Sequence, residues 1–127
     1  MRPSFIALTI AYCAGIFWLS SSVSPVDATP RFPQEDKVAH IVLYGGLAAV
    51  VSFGIRRSGK PASFRKQVWA PVVFASLYGI SDEIHQLFVP HRFCEFGDML
   101  ANATGALLAQ LVLCYVIWRL NRGRIAQ

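Results

Sequence analysis

Apolar residues run along this chain in four blocks, 5–19, 38–55, 68–88 and 99–120, separated by polar stretches rich in proline or in basic residues. With its flanking serines the first block reaches about 17 residues, near the lower limit for a helix that crosses a bilayer, and the other three are longer. The pattern predicts an all-α fold, an integral membrane four-helix bundle, with helices at approximately 4–20, 37–55, 68–88 and 99–120 in one domain over 1–127. Pro25, Pro30 and Pro33 break any helix in the first connection. Pro90 biases Val89 away from the helical region, so the third helix ends near there. The first block follows Arg2 and has the basic start and polar exit of a secretory signal, but the rest of the chain is equally membrane-like, so it is read as a helix. Bulky Tyr12 before Cys13 argues against lipoprotein cleavage. Ala101, Gly105 and Ala109 share one face of the fourth helix, and Gly45 and Ala49 could serve the second in the same way, letting neighbours approach closely.

Composition supports the bilayer as partner: 54% of residues are hydrophobic and 15% charged, against roughly 25% charged in a soluble domain. A net charge of +5 does not point to nucleic acid, because Lys and Arg form no basic face and cluster between the apolar blocks. Of the 12 basic residues, nine (Arg2, Arg56, Arg57, Lys60, Arg65, Lys66, Arg119, Arg122 and Arg124) fall on one side of a four-span topology, and Arg31, Lys37 and Arg92 on the other. The positive-inside rule then places both termini in the cytoplasm of a multi-pass cell-membrane protein. All seven acids, Asp27, Glu35, Asp36, Asp82, Glu83, Glu95 and Asp98, fall at the outer side. The three cysteines show no CxxC spacing and no disulfide framework.

Candidate chemistry concentrates at that acidic end. Asp36, His40 and Tyr44 follow at helical spacing on the second helix; Asp82, Glu83, His85 and Gln86 end the third; Asp98 and Asn102 begin the fourth. All three patches therefore lie at one depth, and with Lys37 and Arg92 they form a candidate polar pocket. His40, His85 and Asn102 need partners inside the bundle if they are not to face lipid. Arg92, two residues past Pro90, is the expected ion-pair partner for Asp82 or Asp98, with Lys37 as the other cation available. Blander readings stand beside these: Asp36 and Asp98 as helix N-caps, Glu83 facing headgroups, Lys37 snorkelling, and Tyr44 and Tyr78 as core or interface aromatics. HExxH and other diagnostic spacings are absent, so no metal and no cofactor are expected. Ser81 is the only serine beside the cluster and lies in no nucleophile motif, which leaves His or carboxylate as acid or base. A weak internal echo, D-x-x-A-[HN] at Asp36–His40 and at Asp98–Asn102, would suit two related hairpins.

DKVAHIVLYGGLA from Asp36 and SDEIHQLFVPHRFCEFGDMLANATGALLA from Ser81 together resemble the signature of the VanZ-like family, over most of the chain from Asp36 to Ala109. Two positions depart from that pattern: His91 stands where glycine is common, and Cys94 with Glu95 replaces a more variable pair. The resemblance implies a small bacterial multi-pass protein of the cell envelope, associated with resistance to the glycopeptide teicoplanin, and implies no reaction. The matching polar positions are Asp36, Lys37, His40, Tyr44, Asp82, Glu83, His85, Gln86, Arg92, Asp98 and Asn102. The expected role is binding of a lipid-linked or cell-wall-related ligand at the polar pocket. The alternative is an intramembrane hydrolase or transferase in which His85 or His40 acts as base and Asp82 or Asp98 orients it.

Overall fold

The computed structural model describes residues 1–22 and 34–125, and there it consists of α1 (Pro3–Ser21), α2 (Glu35–Arg56), α3 (Phe64–Gln86) and α4 (Phe96–Ile125). Most of the connection carrying Pro25, Asp27, Pro30, Arg31 and Pro33 lies outside the described residues, as does the side chain of Arg124. The all-α four-helix bundle is as the apolar blocks predict, with shifted ends. α3 begins four residues before the predicted start because Ser63 caps it, its hydroxyl accepting the Lys66 backbone N–H at 3.3 Å. α4 begins at Phe96, so Asp98 lies inside its first turn and is not its N-cap; Asp36 likewise is the second residue of α2, behind Gln34.

α1, α2 and α4 are each long and apolar enough to cross a membrane. α3 does not reach that standard, since Arg65 and Lys66 begin it and Asp82, Glu83, His85 and Gln86 end it. Much of the outward surface is large and apolar, including Trp18, Val42, Leu77 and Leu111, as a lipid-facing bundle requires.

Helix directions follow from which residues meet. α2 and α4 run parallel in a steady register, residues 62 apart facing one another, as in His40 with Asn102 and Ala48 with Gln110. α1 runs antiparallel to α2, with Tyr12 against Gly46, and touches α2 and α3 but not α4 among the described residues. The expected small-residue seam is present between α2 and α4: a Cβ on Gly45 would meet the Gly105 carbonyl oxygen at 3.1 Å, and one on Gly105 would run into the Ile41 carbonyl. Next to this seam the core packs Tyr44, Leu47, Ala48, Val51, Val72, Ala75 and Ala106, with Ile16 reaching in from α1. Ser52 and Gln110 are also fully buried; the Ser52 hydroxyl donates to Gln110 Oε1 at 3.0 Å, and Gln110 Nε2 donates to the Ala48 carbonyl at 3.3 Å. This pair satisfies its polar atoms internally, as burial demands.

Candidate functional site

The start of α2, the end of α3, the start of α4 and the end of α1 converge at one end of the bundle. The two D-x-x-A-[HN] segments face each other there. Lys37 Nζ lies 3.0 Å from Asp36 Oδ2, 3.0 Å from Glu95 Oε2 and 3.1 Å from Asp98 Oδ1, so one ammonium donates to three carboxylates. Gly97 leaves room for this arrangement, because a Cβ there would meet Lys37 Cε at 3.0 Å. One turn deeper, His40 Nδ1 donates to Asn102 Oδ1 at 2.8 Å and sits 3.8 Å from Glu83 Oε1. With its Nδ1 proton held this way, a neutral His40 carries its lone pair on Nε2. Asn102 is fully buried against Gly79, whose missing side chain makes the space: a Cβ there would lie 2.7 Å from Asn102 Nδ2.

Glu83 faces the interior and not the headgroups. It is fully buried, its Oε2 accepts the Glu95 backbone N–H at 3.2 Å, and its Oε1 accepts from Gln86 Nε2 at 3.4 Å. Beside it the Tyr44 hydroxyl, also fully buried, donates to Asp82 Oδ2 at 2.9 Å. Tyr78 lies next to Tyr44 and donates to the Cys13 carbonyl at 2.7 Å, tying α3 to α1.

Arg92 does not make the expected ion pair with Asp82 or Asp98. Its Nη2 donates to the backbone carbonyls of Leu19 at 3.4 Å and Ser22 at 3.3 Å, so it bridges the α3–α4 connection to the end of α1. Lys37 reaches the acids instead because it rises from the first turn of α2, directly beside the parallel start of α4. His85 points to α1 as well: its Nε2 is 3.0 Å from the Ser21 hydroxyl, and its ring lies against Phe17, tilted by 31° with 4.4 Å between centroids. Ser81 is exposed and bonds only its own helix, at the Tyr78 carbonyl.

Between α1, α2 and α3 the site opens into a cavity of about 280 Å³. Ile16, Leu19 and Leu43 line its apolar part; Ser20, Asp36, His40, Tyr44, Asp82, Gln86 and Arg92 supply its polar lining. A second cavity of about 150 Å³ shares Asp36, His40, Gln86 and Arg92 with it and adds His91, Glu95 and Asp98. Three buried atoms on the larger cavity's lining residues have no hydrogen-bond partner: Ser20 Oγ, Asp82 Oδ1 and Arg92 Nε. Leaving such a group unsatisfied costs about 1–3 kcal/mol, more where it is charged.

Donor atoms of His40, Glu83 and Asp98 lie within 4.8 Å of one another, close enough for a small cation. Each already has a polar partner, however: Asp98 Oδ1 meets the Lys37 ammonium, His40 Nδ1 meets Asn102 and Glu83 Oε2 meets the Glu95 N–H. A second triad, Asp36, Glu95 and Asp98, surrounds the Lys37 ammonium itself, which occupies the place a cation would take.

The structure thus gathers ten of the eleven sequence-derived positions into one connected group, with His85 turned toward α1 beside it. Sequence reasoning missed Ser20, the carbonyls of Leu19 and Ser22, and the site role of Glu95. Nothing local distinguishes these residues, since they join the site only through the docking of α1 and the path of the α3–α4 connection. Gln110 did carry a signal, as an amide in the middle of an apolar block.

No curated protein and no solved structure matches this chain. A model of the VanZ/LLP1 family matches residues 5–119, a stretch that reaches into all four helices and contains every residue of the polar site. The chain belongs to the VanZ/LLP1 family.

Proposed function

We propose that this protein is a multi-pass membrane protein that binds a lipid-linked or cell-wall-related amphiphile in the cavity between α1, α2 and α3. The observation that carries the reading is the set of three buried, unpartnered polar atoms, Ser20 Oγ, Asp82 Oδ1 and Arg92 Nε, on residues lining one cavity that also has an apolar wall of Ile16, Leu19 and Leu43. A hydroxyl, a carboxylate oxygen and a guanidinium N–H match a head group carrying both hydrogen-bond donors and acceptors. Ile16, Leu19 and Leu43 match an alkyl chain. With four spans and both termini cytoplasmic, the site opens at the outer leaflet, where such precursors are handled. A contribution to teicoplanin tolerance fits the same reading.

The full chain is purified in mild detergent, and retained amphiphiles are measured by native mass spectrometry. Asp82→Asn and Arg92→Gln each lower the retained species about tenfold, the scale of one charge-assisted contact. Lipid and cell-wall precursor profiles of cells with and without the protein then identify it. If no amphiphile is retained, or if both variants retain it unchanged, the binding reading is wrong.

The rival reading, a hydrolase or transferase, is favoured by one feature: His40 is held through Nδ1 by Asn102 with Glu83 nearby, the orientation a general base needs. His85, bonded to Ser21 and absent from the cavity lining, fits that role less well. Should Asp82→Asn and His40→Gln abolish function while ligand retention is intact, catalysis replaces binding.

A further inference from the structure

At the opposite end of the bundle a different feature lacks a partner. Arg56, the last residue of α2, donates from Nε to the Ser52 hydroxyl at 3.3 Å and from Nη1 to Gln67 Oε1 at 2.7 Å, while its Nη2 is buried with no partner. The chain carries no acidic side chain between Asp36 and Asp82 or after Asp98, so this end offers the guanidinium no carboxylate counter-charge from Asp or Glu. A buried guanidinium nitrogen without a partner is costly, and the half-buried Arg56 is fixed in place by its two other bonds. Arg56 and Gln67 line a cavity of about 330 Å³ whose other lining includes Phe64, Ile117 and Trp118. Phe64 is 71% exposed and Trp118 48% exposed, so aromatic rings stand where a bilayer interface would meet the cavity. The Arg122 guanidinium lies over the Trp118 ring at 4.5 Å, adding a second cation beside it.

We propose that this cavity binds a phosphate oxyanion, presented by an anionic phospholipid from the leaflet at the basic end. The phosphate accepts from the free Arg56 N–H, and the acyl region lies along Phe64, Ile117 and Trp118. Arg suits this role because its planar fork keeps two N–H groups on Ser52 and Gln67 while a third remains for the anion. The site is independent of the polar cavity between α1, α2 and α3.

The test uses the full chain, stripped of lipid in nonionic detergent, and reads thermal unfolding with added phosphatidylglycerol, phosphatidylcholine or sn-glycerol 3-phosphate. Phosphatidylglycerol is expected to raise the melting temperature by about 4 °C, with little effect from the other two. Arg56→Gln abolishes the gain, and so does Ile117→Trp, which fills the cavity and leaves Arg56 in place; Arg57→Gln, at an exposed position, keeps it. An equal gain from glycerol 3-phosphate upholds the oxyanion site and overturns its lipid source. No gain from phosphatidylglycerol, or equal losses in Arg56→Gln and Arg57→Gln, overturns the site in favour of diffuse charge attraction.

Discussion

Removing the Lys37 ammonium would leave Asp36, Glu95 and Asp98 converging with no cation between them. Asp98 is the costly member, its side chain only 8% exposed, whereas Asp36 and Glu95 are about half exposed and screened. Lys37→Met is expected to lower the melting temperature in detergent, and adding Asp98→Asn should recover at least half of that loss. In a double-mutant cycle on thermal stability Lys37 and Asp98 therefore couple, while Arg92→Gln and Asp82→Asn add independently, because Arg92 bonds backbone carbonyls. Coupling found for Arg92 and absent for Lys37 would contradict this assignment. A second residue-scale expectation concerns His91, which adopts φ 63° in the left-handed region. That is the conformation glycine reaches without penalty. His91→Gly should stabilise the chain by about 1 kcal/mol, seen as a higher melting temperature; a loss of stability would show that the imidazole holds the turn in place.

Among the elements, α2 and α4 form the pair on which the site depends, because their parallel register sets Lys37 beside Asp98 and His40 beside Asn102. Their approach is limited by Gly105, where a Cβ would run into the backbone carbonyl of Ile41, a group that cannot swing aside. Gly105→Ala should cost about 2 kcal/mol or more and loosen the site with it. Gly15, on α1, provides the contrast: nothing lies within 4 Å of an added Cβ, so Gly15→Ala should be neutral or gain about 0.5–1 kcal/mol from helix propensity. Equal effects of the two substitutions would mean that the α2–α4 seam does not control packing.

For the whole molecule, the separation of charge predicts the topology. Among the described residues the basic positions cluster at one end, and the acids, with Lys37 and Arg92 among them, lie at the other. Reporter fusions after Gln127 and within 56–67 are expected to behave as cytoplasmic. Activity on the far side of the membrane at either position would reverse the bundle and move the polar cavity to the inner leaflet. α3 is the element this measurement tests most directly, since its own hydropathy falls short of a span and the four-span topology requires packing against α2 and α4 to carry it across.

Four helices, the depth shared by the polar patches and the family signature were all legible in the sequence. Hydropathy is a local property, and the helical period turns spacing into faces without knowledge of neighbours. Small residues at 45, 105 and 109 announced a close seam for the same reason. Which groups meet across that seam was not local information. Lys37 and not Arg92 takes the acids, Glu83 turns inward, His85 turns to α1, and Ser20 enters the cavity. These outcomes depend on helix rotation and register, which differ by single residues between alternatives of similar hydropathy. They are decided by close contacts such as Gly105 on the Ile41 carbonyl and Gly79 on Asn102, where the backbone can approach only one way.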